Sequence, residues 1–224
     1  MILKNWWEKD IKKKITCPKL SKDIKTDYLV IGGGIAGLHA ALYLAERGKK
    51  AVLLEKSYCG SSSSGKSSGF LTPASELDLA HMKRIYGLKK AKEVWKIPVN
   101  GVKEIVSNVR KYKIECELEE QDCFYLGVGR SGKETIKDET KASKKIGVKF
   151  KYYDEKKLSS MISSRVYMNG IRTYDTYSIN SMLYCIGLKK VLRKKMLKFT
   201  KIQKFWVFLI TWQKQRMALL KPIR

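Results

Sequence analysis

Glycines at positions 32, 34 and 37 and the glutamate at 55 are the residues of this chain best suited to hold a ligand. In the pattern G-x-G-x-x-G the first glycine permits a tight turn from strand to helix. The second lets the backbone approach a pyrophosphate, and the third lets the helix lie close on the sheet. The free N–H groups at the start of the following helix, together with the helix dipole, attract phosphate without the help of a lysine. Glu55 stands 18 positions beyond Gly37. A carboxylate there can accept the hydroxyls of an adenosine ribose and repels a 2′-phosphate, so NADP is disfavoured. The spacing therefore predicts Gly32, Gly33, Gly34, Ile35, Ala36 and Gly37 at a pyrophosphate and Glu55 at a ribose.

The elements needed to position these groups are written around them. Residues 28–31, YLVI, read as a short apolar strand, and 35–47 as a helix with Leu38, Ala41, Leu42 and Ala45 on one stripe. Gly48 stops that helix, and 51–54, AVLL, form a second strand ending at Glu55. Strand, turn, amphipathic helix, strand and acid agree, so the glycines read as a dinucleotide cradle and not as a bare turn.

The next stretch, 55–71, EKSYCGSSSSGKSSGFL, resembles the loop after the second strand in FAD-dependent amine oxidases of the D-amino-acid oxidase and glycine oxidase family. There an acidic and basic pair is followed by a run of the form G-x-G-A-S-G-R-N-G-G-F. Gly60, Ser64, Gly65, Gly69 and Phe70 match, Lys66 stands in place of the arginine, and Ser67 and Ser68 replace Asn and Gly. The resemblance implies a loop wrapped around the FAD pyrophosphate, with Lys56, Ser64, Gly65 and Lys66 around the adenosine and phosphates. The plain alternative is a flexible linker, since six of the eight residues 61–68 are serine.

Further along the resemblance persists as a pattern to about residue 195. Helices are expected over 76–86 and 89–112, with Tyr86, Gly87, Ala91 and Trp95 matching a Y-G-x-x-x-A-x-x-x-W stretch and Pro98 expected to kink or start the second helix. A strand over 123–128, a helix over 136–145, a strand over 148–153 and a helix over 155–161 capped by Asp154 follow. Residues 170–180 and a helix over 181–195 resemble the return from the substrate domain, with Ser181 where a proline is usual. The fold class implied is α/β, a Rossmann-like FAD/NAD(P)-binding three-layer fold with part of an α+β substrate domain. The expected division is an N-terminal basic extension over 1–26, the first part of an FAD-binding domain over 27–115, a partial substrate domain over 116–172, a return to the FAD-binding domain over 173–195 and an atypical basic tail over 196–224.

That tail sets the expectation of a C-terminally truncated homologue. Residues 176–224 hold no Asp or Glu but 12 Lys or Arg, and no cofactor motif follows 195. The tail is expected to be poorly packed, its apolar run 205–212 lacking an evident strand partner, with weak contact at a membrane surface as a second role. Across the chain 47 basic and 21 acidic residues give a net charge of +26. The lysines are scattered and no recognition motif accompanies them, which argues for a solvated surface and against a specific nucleic-acid partner. Five cysteines without C-x-x-C spacing indicate neither a disulfide framework nor a zinc site. Two histidines, His39 and His81, argue against a histidine metal centre, so no metal is expected. Residues 1–14 are lysine-rich, hold Trp6 and Trp7, and lack the apolar core of a secretory signal, so a cytoplasmic setting is expected.

The resemblance implies an FAD-dependent oxidoreductase that oxidises an amine or amino acid C–N bond by hydride transfer to flavin, with a small-molecule amine or amino acid as partner. The short chain is expected to turn over poorly, no catalytic residue can be named, and the oligomeric state stays open. A non-catalytic FAD-binding remnant and an NAD-dependent dehydrogenase remain as alternatives.

Overall fold

A computed structural model describes residues 5–11, 16–18, 20–21, 24–73, 77–195, 198–201, 210–213 and 216–219. In chain order the strands are β1 (Lys25–Thr26), β2 (Tyr28–Ile31), β3 (Ala51–Glu55), β4 (Phe70–Leu71), β5 (Glu119–Val128), β6 (Phe150–Asp154), β7 (Tyr167–Ser178), β8 (Lys198–Lys201), β9 (Ile210–Gln213) and β10 (Arg216–Leu219). The helices are α1 (Ile35–Glu46), α2 (Leu79–Tyr112), α3 (Gly129–Ile146), α4 (Glu155–Met161) and α5 (Ser181–Lys194), with short 3-10 turns at Trp6–Asp10 and Ser63–Lys66.

The chain divides into two compact units. The first comprises Met1–Gly69, Val109–Glu117 and Asn180–Arg224, the second Phe70–Asn108 and Leu118–Ile179. Residues 70–108, expected beside the dinucleotide motif, thus belong with 118–179. The reason is local: β4 pairs with the end of β7, and the start of α2 packs with Ala142 of α3 in one apolar cluster.

In the first unit β2, β3 and β8 form a parallel sheet in the order β2-β3-β8. All five residues of β3 are buried, as a continuous apolar run must be when the strand is flanked on both edges. On α1, Leu38, Ala41 and Leu42 are buried. Helix α5 buries Met182, Tyr184, Cys185, Leu188 and Leu192 in the same unit. The expected tail is corrected at its start, 198–201. Residues 198–201 pair with β3 in parallel register, Leu53 opposite Phe199 and Leu54 opposite Thr200, with Phe199 and Thr200 buried. Four residues are too few for a period-two pattern to stand out from a lysine run, and the partner lies 146 positions upstream, Lys198 opposite Val52. Of the apolar run, 205–209 lie outside the described residues, while 210–212 belong to β9, which pairs with β10 and through it with β1.

In the second unit β7 is the spine. It pairs antiparallel with β5 along one edge and with β4 and β6 on the other. Asp154 caps α4, its carboxylate accepting the Lys157 N–H at 2.9 Å, as the sequence predicts. The break in α2 falls at Gly87, with φ +73°, and not at Pro98, which stays inside the helix. A left-handed backbone costs glycine least, so the chain bends there. The first N–H groups of α2 are capped from another element: Glu139 of α3, buried, accepts from Leu79 at 3.2 Å and Ala80 at 2.8 Å.

Candidate dinucleotide site

The site grows from the end of β2. Gly32 extends the pairing, its N–H donating to Leu54 O at 2.8 Å, then turns the chain at φ +99°. Gly37 must lack a side chain, because a Cβ there would overlap the Gly32 carbonyl oxygen. The third glycine therefore lets α1 start directly against the turn. Gly34 holds the N-cap position in extended backbone and offers no side chain to the first turn of α1. The amino end of α1 is left to other groups.

One of these is Ser64, whose hydroxyl accepts the Ile35 N–H at 3.0 Å. The other is Glu55. Its Oε2 accepts the Gly33 N–H at 2.7 Å and its Oε1 the Ser57 N–H at 2.7 Å, so the buried carboxylate ties the glycine turn to the start of the next loop. A carboxylate has about four lone-pair sites. These two bonds leave acceptor capacity on both oxygens.

The serine-rich run is built, not a free linker. Gly60 donates to Gly33 O at 2.9 Å, residues Ser63–Lys66 coil into a 3-10 turn, and Gly65 is buried against the Gly60 carbonyl and Met182 of α5. Gly32, Gly33, Gly34, Ile35, Ala36, Gly37, Glu55, Ser64 and Gly65 are thus gathered around one helix terminus. Lys56 and Lys66 lie exposed on the same loop.

The segment before β1 contributes residues that sequence reasoning missed. Asn5 Nδ2 donates to Gly65 O at 2.5 Å, Trp7 Nε1 to Ser67 O at 2.7 Å, and the Tyr58 hydroxyl to Glu8 at 2.8 Å. The visible signal was the aromatic pair Trp6 and Trp7 in a lysine-rich stretch. His39 hydrogen-bonds the Tyr184 hydroxyl at 2.9 Å and joins α1 to α5. His81 is exposed on α2.

A match to the family described as FAD dependent oxidoreductase spans residues 27–202. The chain belongs to this family. Among curated relatives, the probable oxidoreductase OrdL of Haemophilus influenzae is 29% identical over 174 residues, covering 77% of this chain and 40% of its own length. The gamma-glutamylputrescine oxidoreductase of Escherichia coli is 34% identical over 98 residues, covering 44% of this chain and 23% of its own. Of solved structures, the L-amino acid deaminase from Proteus vulgaris superposes with a TM-score of 0.69 at 14% identity, covering 90% of this chain and 45% of that one. The glycine oxidase from Bacillus cereus gives 0.62 at 16% identity, covering 85% and 49%. At such identity these two show the fold alone. The chain spans less than half the length of each of these relatives.

The family's FAD fits the residues present. The Gly32 and Gly37 contact clears side chains from the turn, α1 carries no side-chain cap of its own, and Glu55 keeps lone pairs for hydroxyl donors. Among the described residues no helix is long and apolar enough to cross a membrane.

Proposed function

We propose that this oxidoreductase binds FAD along the turn from β2 to α1 and serves the oxidation of a C–N bond in a small amine or amino acid. The observation that carries the reading is the convergence of the glycine turn, Glu55 and Ser64 on the amino end of α1. Residues 32–37 hold the pyrophosphate, and Glu55 accepts the ribose hydroxyls while keeping its bonds to Gly33 and Ser57. Lys56, Ser64, Gly65 and Lys66 surround the adenosine and phosphates. When bound, FAD supplies a two-electron acceptor for a hydride. The protein's share is to bind and orient it: the helix dipole and N–H groups favour the phosphates, and the loop packed on α5 fixes their approach.

The amine or amino acid as substrate class is supported by the names of relatives, gamma-glutamylputrescine oxidoreductase, glycine oxidase and L-amino acid deaminase. The dinucleotide domain is proposed to include β2, α1, β3 and α5, with substrate recognition assigned to the unit built on β7. Titration of purified protein with FAD, NAD and NADP tests the binding, with FAD expected tightest. Tighter NADP would overturn it. Anaerobic mixing of FAD-loaded protein with glycine, sarcosine, D-alanine, proline and putrescine tests the chemistry. Bleaching by one of these is the supporting outcome, and no bleaching by any removes the substrate class.

A further inference from the structure

The 3-10 turn Trp6–Asp10 and the residue before it reach the serine-rich loop through polar groups. None of residues 5–9 is fully buried, and Trp6 is 68% exposed with Lys9 stacked on its ring. Three side chains of this segment bond to the one loop. Asn5 uses both atoms of its amide: Oδ1 accepts the Trp7 N–H at 3.3 Å and caps the turn, while Nδ2 donates to Gly65 O at 2.5 Å. Trp7 Nε1 donates to Ser67 O at 2.7 Å, and Glu8 accepts the Tyr58 hydroxyl at 2.8 Å. The gripped positions, 58, 65 and 67, bracket those by which the same loop holds the glycine turn. Gly60 donates to Gly33 O at 2.9 Å, and the Ser64 hydroxyl accepts the Ile35 N–H at 3.0 Å. A segment fixed by partly exposed hydrogen bonds, with little apolar burial, opens more readily than the packed structure around it.

We propose that Asn5, Trp7 and Glu8 are positioning residues for FAD: as a strap on the 58–67 loop they hold Ser64, Gly65 and Lys66 in the conformation that receives the phosphates, and opening of the strap sets the rate of FAD release. The proposal rests on the FAD reading of this loop. Each peptide is planar, so holding the Gly65 and Ser67 carbonyls also fixes the orientation of the Lys66 and Ser68 N–H groups. Without the strap the serine-rich run regains the backbone freedom of a flexible linker. Ordering it anew at each binding event lowers affinity, because the bound conformation is no longer prepared in advance. Each strap bond corresponds to a factor of about two to ten in that equilibrium.

The test uses the full chain in two states. Loaded with FAD and diluted, it is followed by the free FAD that appears after rapid filtration. Unloaded, it is followed by hydrogen exchange of 58–68 with mass spectrometry. Trp7→Phe keeps a ring and removes the Nε1 donor, Asn5→Asp keeps the cap and removes the Nδ2 donor, and Tyr58→Phe removes the bond to Glu8. Each should speed FAD release about two- to tenfold, and Trp7→Phe with Asn5→Asp roughly tenfold or more. Exchange of 58–68 should rise in the same variants while the urea midpoint stays near wild type. Trp6→Phe, which alters the exposed ring of the same turn, should change neither release nor exchange. A lowered midpoint with release unchanged would make the segment a structural tie and overturn the proposal, as would Trp6→Phe matching Trp7→Phe. FAD bound by the wild type and released at the wild-type rate from the double variant would overturn the strap alone. Failure of the wild type to bind FAD, with exchange still raised in the variants, would overturn the FAD reading and the proposal with it.

Discussion

At the scale of single residues, Gly34 stands where a side chain would block the ligand path. A Cβ would already come within 2.9 Å of the Ser64 hydroxyl, so Gly34→Val fills the amino end of α1. The variant should lose FAD binding by at least about a hundredfold, an energy near 3 kcal/mol, while far-UV circular dichroism stays close to wild type. Unchanged affinity would move the cradle elsewhere. Glu55→Gln is expected to act on both loop and ligand. An amide can turn only one oxygen to the Gly33 and Ser57 N–H groups, leaving one buried donor facing another at a cost of about 1–3 kcal/mol. Calorimetric or denaturant midpoints should fall together with FAD affinity. These residues were legible in sequence because glycine spacing and a following acid report a local turn. The clasp of Asn5 on Gly65 and of Trp7 on Ser67 was not, because each joins residues 60 positions apart that only the folded chain brings together.

At the scale of elements, periodicity identified β2, α1, β3, α4 and α5 nearly to the residue. Each carries its own apolar stripe or cap, as Asn180 shows by accepting the Leu183 N–H at the start of α5. It failed for β8, which has four residues and borrows its identity from β3. The tail was expected to be poorly packed, so that its loss would leave the fold unharmed. The pairing of β8 predicts the reverse: deletion after 195 strips one edge from β3 and should lower the unfolding midpoint of the first unit. Phe199→Ala, removing a buried ring, should cost about 3 kcal/mol in a urea titration. Deletion without loss of stability would show β8 to be dispensable.

Glu139 gives the elements a pH signature. Burial, with the nearby Asp78 charge, raises its carboxyl above the ordinary value against the pull of the Leu79 and Ala80 N–H groups. The folded state therefore holds its proton longer than the unfolded one. The stability this adds is fully present below the unfolded value and declines as pH rises through the folded one. Glu139→Gln should flatten that slope, seen by comparing denaturant midpoints of both proteins from pH 3.5 to 7. A slope shared by both proteins would place its origin in another group.

At the scale of the whole molecule, the first unit is stitched from Met1–Gly69, Val109–Glu117 and Asn180–Arg224. The second is stitched from the stretches between, and β7, the spine of its sheet, ends only at Ser178. Sequence reading expected one return of the chain to the dinucleotide domain, over 173–195, but not the brief passage of Val109–Glu117 through the first unit, because no motif in that stretch marks it. This interleaving imposes a schedule on synthesis. The dinucleotide motif leaves the ribosome early, yet β3 waits for β8, and the β2-β3-β8 sheet cannot close until residue 201 has emerged. In the interval AVLL of β3 is an apolar strand with an open edge, the kind of segment on which nascent chains aggregate and chaperones act. Nascent chains stalled through a C-terminal linker should leave 28–55 open to protease at every length at which residue 201 is still inside the ribosome and close it abruptly once that residue has emerged, so that the part of the protein read first is among the last to become a structure.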